Sequence, residues 1–264
     1  MDNENMLSGI LCISLLFHRL EGTSRPEIKV GKLEPDTIKQ LVTDHKIVPD
    51  VIDVSPKHAI KVHWLHGITA KFGNTLVPED LRKSPFLIKW PIEKGAVYLL
   101  MMVDPDVPSR KNHTLREWNH WMFVNMPAYP LMLFGDTLVE YVGPDPLEGT
   151  GFHRYIFLIF KQPGNLTFNE PVLKHERNNT SRGHFSTRKF ANKYKLGDPI
   201  AINFFIAEWR QNSSTGSDDY SYDAYRVNGE LPHQFKNLTY FDKDKNDDDD
   251  DDDDNDYHHH DGHE

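Results

Sequence analysis

Short apolar runs alternate with polar, turn-rich segments through most of this chain. The runs are rich in Val, Ile, Phe, Tyr and Trp, and their lengths are typical of β-strands. Because turns separate most of them, the pattern favours a mainly β protein with two antiparallel sheets and a few short peripheral helices over alternating βα units. The predicted strands are Ala59–Leu65, Phe86–Trp90, Val97–Val103, Trp121–Val124, Tyr155–Phe160 and Ile200–Phe205.

Helical spacing occurs in two places. The first predicted helix begins at Pro35, with Asp36 as its N-terminal cap. The second covers Thr187–Lys195, capped by Ser186 or Thr187 and ended by Gly197. Both are short, which suits helices at the periphery of a β domain.

An apolar run at the N-terminus, Met6–Phe17, has the length of a signal-peptide core and is too short to span a bilayer. Asp2 and Glu4 precede it, where a signal peptide is ordinarily basic. We expect residues 1–22 to be a signal peptide and the protein to be secreted; the alternative is a cytoplasmic protein. Cys12 is the single cysteine, so a cleaved chain would contain no disulfide and no thiolate.

Asn-x-Ser/Thr sequences are more frequent than composition alone would give, which supports secretion with N-glycosylation. All of them fall in polar, loop-like stretches. The alternative is that loops rich in Asn, Ser and Thr form such sequences without being glycosylated. The candidate asparagines are Asn112, Asn165, Asn178, Asn179, Asn212 and Asn237.

The net charge of −10 comes from the C-terminus, where residues 241–264 are rich in Asp and His. Without this segment the chain is close to neutral, which excludes the strongly basic field of a duplex-DNA binder. Like-charge repulsion predicts a disordered tail; weak metal binding is the alternative, but no preformed metal site or cofactor is expected. One domain over residues 27–240 accounts for the remainder.

Two loops dense in Pro and Gly carry the candidate chemistry. The segment Asp104–Arg110 follows a predicted strand and is succeeded by Arg116–Trp121, whereas Tyr141–Tyr155 leads into another strand. Loops held by a rigid scaffold are common places for binding residues. Together these loops could surround one cavity with the side chains of Asp104, His120, His153 and Tyr155.

Each of these residues also has a structural interpretation. Asp104, before Pro105, is equally typical of a turn that bonds nearby backbone amides. His120 lies among tryptophans and is commonly a satisfied core histidine. His153 is the better ligand candidate, because the glycines before it let backbone amides approach a ligand closely.

These segments resemble the phosphatidylethanolamine-binding protein family, which includes the Raf kinase inhibitor protein. The shared patterns are Asp-Pro-Asp-x-Pro-Ser-Arg at Asp104–Arg110, Asn-His with an aromatic at Asn119–Trp121, and Gly-Thr-Gly-x-His-Arg-Tyr at Gly149–Tyr155. The likeness extends from Ile47–Asp53 to Ala207–Trp209. It implies the mainly β fold of that family.

The resemblance also implies a small pocket for phosphate-like and other anionic head groups. His120 and His153 would donate to the anion, Asp104 would orient an imidazole or meet an ammonium group, and Tyr155 would supply a hydroxyl. The family holds cis peptides near these loops, which makes Val107-Pro108 a candidate. Apolar walls and a closing tyrosine are expected from Pro108, Trp118 and Tyr225.

One departure concerns the mouth of this pocket. Where the family has Gly-x-Gly-Pro-Pro, this chain has Asp145 in place of the second glycine and Leu147 in place of the second proline. A carboxylate that points inward would weaken anion binding.

The expected function is therefore non-catalytic binding of anionic or zwitterionic phospholipid head groups by a monomer, with peripheral membrane contact and no nucleic acid. The alternative is a protein–protein regulator that inhibits a kinase or a protease. The sequence contains neither Gly-x-Ser-x-Gly nor His-Glu-x-x-His, so it offers no motif for a hydrolase nucleophile or a catalytic zinc.

Overall fold

The structure, a computed structural model, describes residues 33–128, 134–177 and 179–211. The predicted signal peptide and acidic tail lie outside these residues, as do Tyr225 and three of the candidate glycosylation sites, Asn178, Asn212 and Asn237. Within the described ranges the strands are β1 (His58–Ala59), β2 (Lys61–His63), β3 (Asn74–Thr75), β4 (Leu87–Lys89), β5 (Val97–Asp104), β6 (Trp118–Pro127), β7 (Asp136–Val139), β8 (His153–Gln162) and β9 (Ala201–Ala207).

Most of these strands form one large sheet, in the order β1-β9-β8-β5-β6-β7. Its centre is antiparallel, and β2 and β4 form a second, antiparallel pair. The predicted mainly β fold with two sheets is thus confirmed. At one edge, however, β1 and β3 both run parallel to β9, so the large sheet is mixed and not purely antiparallel as predicted.

The large sheet is buried on both faces, which explains why its strands are continuous apolar runs without clear alternation. Leu99, Met101 and Val103 of β5 face a core shared with the helices. Leu100 and Met102 face the opposite core, which includes the small β2–β4 sheet. Because both faces are covered, binding residues are confined to the ends of the strands and the loops that follow them.

The helices are short and peripheral, as predicted: α1 (Pro35–Asp44), α2 (Ile47–Asp50) and α3 (Thr187–Lys193). The N-cap of α1 is Glu34 and not Asp36, which lies inside the first turn next to Pro35. Ser186 caps α3 by accepting a hydrogen bond from the backbone N–H of Lys189.

Two strand predictions were incomplete. The predicted strand Ala59–Leu65 is divided between β1, which pairs with β9, and β2, which pairs with β4, and a 3₁₀ turn begins at Leu65. The edge strand β7 was missed, because only its last two residues are apolar. None of the helices in the described residues is long and apolar enough to cross a membrane.

Candidate functional site

Asp104 and His153 form a buried pair where two neighbouring strands meet. Asp104 ends β5, and His153 begins the antiparallel neighbour β8, so both lie at the same end of the large sheet. The Oδ2 atom of Asp104 is 2.7 Å from Nδ1 of His153. Asp104 also accepts a hydrogen bond from the backbone N–H of Asp106 over 2.7 Å, which fixes the carboxylate from its other oxygen. The predicted role of Asp104 in orienting an imidazole matches this geometry.

His120 lies at an irregularity of β6. Met102 pairs with Trp121 and Val103 pairs with Asn119, so His120 is the extra residue between the two pairs. A β-bulge of this kind re-aims a side chain, and bulges are frequent at functional sites. The Nδ1 atom of His120 is 2.7 Å from the carbonyl oxygen of Val142, whose own N–H donates to the carbonyl of His120.

This contact decides which nitrogen of His120 faces a ligand. A carbonyl oxygen only accepts, so Nδ1 carries the proton and Nε2 remains for other partners. Burial lowers the pKa of His120 to about 3, with the positive charges of Arg182 and His153 acting in the same direction. His120 is therefore neutral at pH 7, and its free nitrogen accepts. The expected donation from His120 to an anion does not fit this state.

Tyr155 lies between the two imidazoles. Its ring centroid is 5.2 Å from that of His120 in an edge-on contact and 6.4 Å from that of His153 in a stacked one. Phe205 stacks on its other side at 5.1 Å. Burial raises the pKa of Tyr155 well above its usual range, and nearby carboxylates add to the shift, so the hydroxyl stays protonated. The structure thus brings Asp104, His120, His153 and Tyr155 together, as predicted.

Burial raises the pKa of Asp104, while its hydrogen bond to His153 opposes this shift and favours a carboxylate beside a charged imidazole. Burial opposes protonation of this imidazole, but the hydrogen bond and the negative charge of Asp104 outweigh it and raise the pKa of His153. The Nε2 atom of His153 is 3.0 Å from Oγ1 of Thr150. The Thr150 hydroxyl in turn donates to the carbonyl of Leu147 over 2.6 Å. Since that donation uses the only hydroxyl proton, Nε2 must donate to Thr150.

The directions of these hydrogen bonds also bear on catalysis. Asp104, His153 and Thr150 stand in the order of an acid–base–hydroxyl triad, but a triad needs a histidine that takes the hydroxyl proton. Here the proton is directed to Leu147 and the imidazole is the donor. The arrangement presents a cation and not an activated nucleophile.

Pro108 and Trp118, the predicted apolar walls, are both half-buried. Trp118 is the strand partner of Asp104, and its ring packs on Gly183, where an added Cβ would lie 3.4 Å from it. The Val107–Pro108 peptide is cis, as predicted. Asp145 is exposed and lies 3.5 Å from the guanidinium of Arg177, so its carboxylate is partly compensated at the surface.

A scaffold of charges beneath the loops was not predicted. Asp106 accepts from the backbone N–H of Arg154 at 3.0 Å, from Nε at 2.7 Å and from a terminal nitrogen at 2.6 Å, and both side chains are fully buried. Arg154 also donates to the carbonyls of His45 and Lys46 and to the carboxylate of Asp50. This bidentate pair holds the Asp104–Arg110 loop against the start of β8.

Arg182 is a second residue that sequence reasoning missed. It is fully buried and donates to the carbonyls of Asn119, His120, Glu140 and Lys174, and its Nε atom has no hydrogen-bond partner in the described part of the chain. Burial lowers the pKa of Arg182 to about 10, which still leaves it charged at pH 7. A buried cation thus lies directly behind the strand that carries His120.

A separate cleft, open to solvent, lies on the other face of the large sheet. Ile52, Phe160 and Ala191 line it together with the polar residues of α3, and none of the predicted site residues takes part. Among the described residues, no group of three or more His, Cys, Asp or Glu side chains could hold a metal ion.

Comparison with known proteins agrees with the mainly β fold. Residues 69–205 match the family model described as phosphatidylethanolamine-binding protein. A Drosophila melanogaster protein named "Putative odorant-binding protein A5" is 30% identical over 174 residues, which cover 66% of this chain and 81% of that protein.

Two solved structures share the fold. The structure titled carboxypeptidase Y inhibitor complexed with the cognate proteinase is 26% identical, with a TM-score of 0.58, and covers 67% of this chain and 97% of that one. The phosphatidylethanolamine-binding protein from Plasmodium vivax is 24% identical, with a TM-score of 0.55, and covers 65% of this chain and 97% of the other.

Proposed function

Because this chain belongs to the phosphatidylethanolamine-binding protein family, we propose that it binds phosphoethanolamine-type head groups of phospholipids without catalysis. The observation that carries the proposal is the buried Asp104–His153 pair, which stands beside His120 around the ring of Tyr155. This arrangement places one charged donor, paired with Asp104, and one neutral acceptor around the same aromatic ring.

The two imidazoles suit the two charges of the head group. The protonated His153 is a charge-assisted donor for a phosphate oxygen. The neutral His120 presents Nε2 as an acceptor for the ammonium group. In this proposal Asp104, which is buried and bonded to His153, holds the imidazole in the charged state and leaves the ammonium group to His120.

Calorimetry with phosphorylethanolamine tests the proposal. Binding by the wild type should fall at least tenfold in His153→Gln, because the variant loses the charged donor. His58→Gln is the matched control, since His58 is exposed on the edge strand β1. Affinity should also fall as the pH rises above the raised pKa of His153, where the imidazole loses its charge. Wild-type protein that binds neither phosphorylethanolamine nor phosphate would contradict the proposal.

Vesicles distinguish a lipid from a free head group. Leu147 and Phe152 are exposed large apolar residues on the loop beside His153, where they would meet the acyl region of a bound lipid. The double variant Leu147→Glu, Phe152→Glu should bind vesicles of phosphatidylethanolamine and phosphatidylcholine less well, while its affinity for phosphorylethanolamine stays unchanged. Equal loss of both would show that these side chains shape the pocket and do not contact lipid.

Protease inhibition is a second candidate, favoured by the likeness to the carboxypeptidase Y inhibitor. Peptide hydrolysis by carboxypeptidase Y should be measured with wild type and with His153→Gln. Inhibition that persists in the variant, together with absent head-group binding, would favour the inhibitor. If neither the wild type nor His153→Gln inhibits carboxypeptidase Y, head-group binding remains the proposed function.

A further inference from the structure

The hydroxyl of Thr150 is hydrogen-bonded to Nε2 of His153, the ring nitrogen that would donate to a ligand. Thr150 lies between Gly149 and Gly151, three residues before His153, and its Oγ1 atom is 3.0 Å from His153 Nε2. The other ring nitrogen is 2.7 Å from Asp104. Both N–H groups of this imidazole therefore have protein acceptors, and an anion gains a donor only if one acceptor leaves.

Of the two acceptors, only Thr150 is placed to leave. Asp104 is buried and held by the backbone of Asp106 as well as by His153. Thr150 is half-buried in an exposed loop, and its two neighbours, Gly149 and Gly151, have φ angles of +76° and +75°. A Cβ built on either glycine meets nothing within 4 Å, so there is open space on both sides of Thr150, whose backbone N–H is bonded only within the loop, to the carbonyl of Leu147.

We propose that Thr150 is a specificity-determining residue of the head-group pocket, whose hydroxyl must be displaced from His153 Nε2 by an oxygen of the ligand. This inference rests on the proposed function. A neutral hydroxyl is a weaker acceptor for a cationic donor than a charged oxygen is. Phosphate, phosphonate and carboxylate oxygens can therefore replace Thr150, whereas neutral carbonyl or hydroxyl ligands compete with it on equal terms and gain little.

The matched variants are Thr150→Val, which keeps the β-branched shape without the hydroxyl, and Thr150→Ser, which keeps the hydroxyl. Calorimetry with phosphorylethanolamine should show binding about threefold to tenfold tighter in Thr150→Val, the range expected when one competing hydrogen bond is removed. Thr150→Ser should bind like the wild type. Weaker or unchanged binding by Thr150→Val would overturn the inference, because the hydroxyl would then contact the ligand or play no part.

Long-range ¹H–¹⁵N spectra of the His153 ring provide a readout that does not depend on any ligand. In the wild type at pH 6 both ring nitrogens should carry protons, with the Nε2 proton protected from exchange by Thr150. Thr150→Val should exchange this proton faster, while the Nδ1 proton, held by Asp104, stays unchanged. An Nε2 without a proton in the wild type, or unaltered exchange in the valine variant, would overturn the inference.

The two measurements separate the inference from the proposed function. If wild type, valine and serine variants all fail to bind phosphorylethanolamine and phosphate, head-group binding is wrong and the spectra alone decide whether Thr150 closes His153. If all three bind equally, head-group binding holds and the role of Thr150 is wrong. Thr150 is partly exposed and its two replacements are close in size, so unfolding is not expected to confuse the result.

Discussion

Glu117 shows how a single buried carboxyl group sets the behaviour of its surroundings. It is buried at the base of the loop before β6, and its Oε2 atom accepts from the backbone N–H and the hydroxyl of Thr187, at the start of α3. Burial raises the pKa of Glu117 to about 7 from an ordinary value of 4.5, although the Thr187 hydrogen bonds and the charges of Arg188 and Arg116 oppose this shift. The folded protein therefore holds a proton on Glu117 that the unfolded chain releases.

This proton makes stability depend on pH in a definite direction. Between about pH 4.5 and 7 the folded state binds the proton and the unfolded state does not, so the free energy of unfolding should fall as pH rises through this window. The loss is on the order of 3 kcal/mol at most. Glu117→Gln keeps an acceptor for Thr187 but does not titrate, so we expect it to flatten this part of the profile and to exceed the wild type in stability at pH 8.

Urea denaturation at a series of pH values measures the effect. Glu93→Gln is the control, since Glu93 is an exposed partner of Lys161. Parallel profiles for wild type and Glu117→Gln would show that Glu117 does not titrate in this range.

At the scale of elements, the segment that precedes β8 connects the small 3₁₀ turn Pro78–Leu81 to the site. The backbone of Gly143 lies so close to this turn that an added Cβ would be 2.4 Å from the carbonyl oxygen of Leu81. The residue before it, Val142, exchanges two hydrogen bonds with His120. The position of the neutral His120 is thus linked to the packing of a remote turn.

Gly143→Ala should therefore perturb both stability and the site. Because the contact is with backbone, which cannot rotate away, we expect a loss of about 1–3 kcal/mol, the range for overpacking. The ring signals of His120 should move as the Val142 carbonyl shifts. Gly164→Ala is the matched control, since a Cβ there meets nothing within 4 Å. Equal stability of the two variants, measured by urea denaturation, would contradict the account.

The elements that sequence reasoning found are those whose pattern is set by burial alone. Val97–Val103 and Tyr155–Phe160 lie in the middle of a sheet covered on both faces, so they are apolar throughout and recognisable. The run Ala59–Leu65 was misjudged because its apolar residues continue across a change of sheet, and an apolar pattern does not tell which strand will be its partner.

At the scale of the molecule, the site residues that were predicted belong to recognisable motifs where strands and loops join, whereas those missed depend on the fold. Asp104 and His153 are 49 positions apart and were joined by the resemblance. Arg182 donates to four carbonyls from three segments of the chain, and no local sequence pattern indicates such a role. Thr150 lies inside the motif Gly149–Tyr155, but its contact with His153 follows from the turn of the loop, which composition does not encode.

We propose that the protein is secreted, because it has an apolar run at the N-terminus and an excess of glycosylation sequences. The exposure of the asparagines in the described loops predicts which of these sequences would carry a glycan. Asn112 and Asn165 are exposed, whereas Asn179 is half-buried and caps a 3₁₀ turn. Its Oδ1 accepts from the Ser181 amide at 3.0 Å, and its Nδ2 donates to Glu176 at 3.3 Å. A glycan on Asn179 would disturb these contacts. We therefore expect Asn112 and Asn165 to be glycosylated and Asn179 to remain unmodified.

Intact-mass analysis and peptide mapping of protein from a eukaryotic host measure the difference. We expect a chain that starts near Thr23, with glycosidase-sensitive mass that falls in Asn112→Gln and in Asn165→Gln. Asn179→Gln should leave the glycan mass unchanged, because its side chain is engaged in the turn. An unprocessed chain recovered from the cytosol without glycans would contradict secretion. Glycans on Asn179 alone would instead mean that the turn forms only after modification, so that exposure in the folded domain does not select the sites.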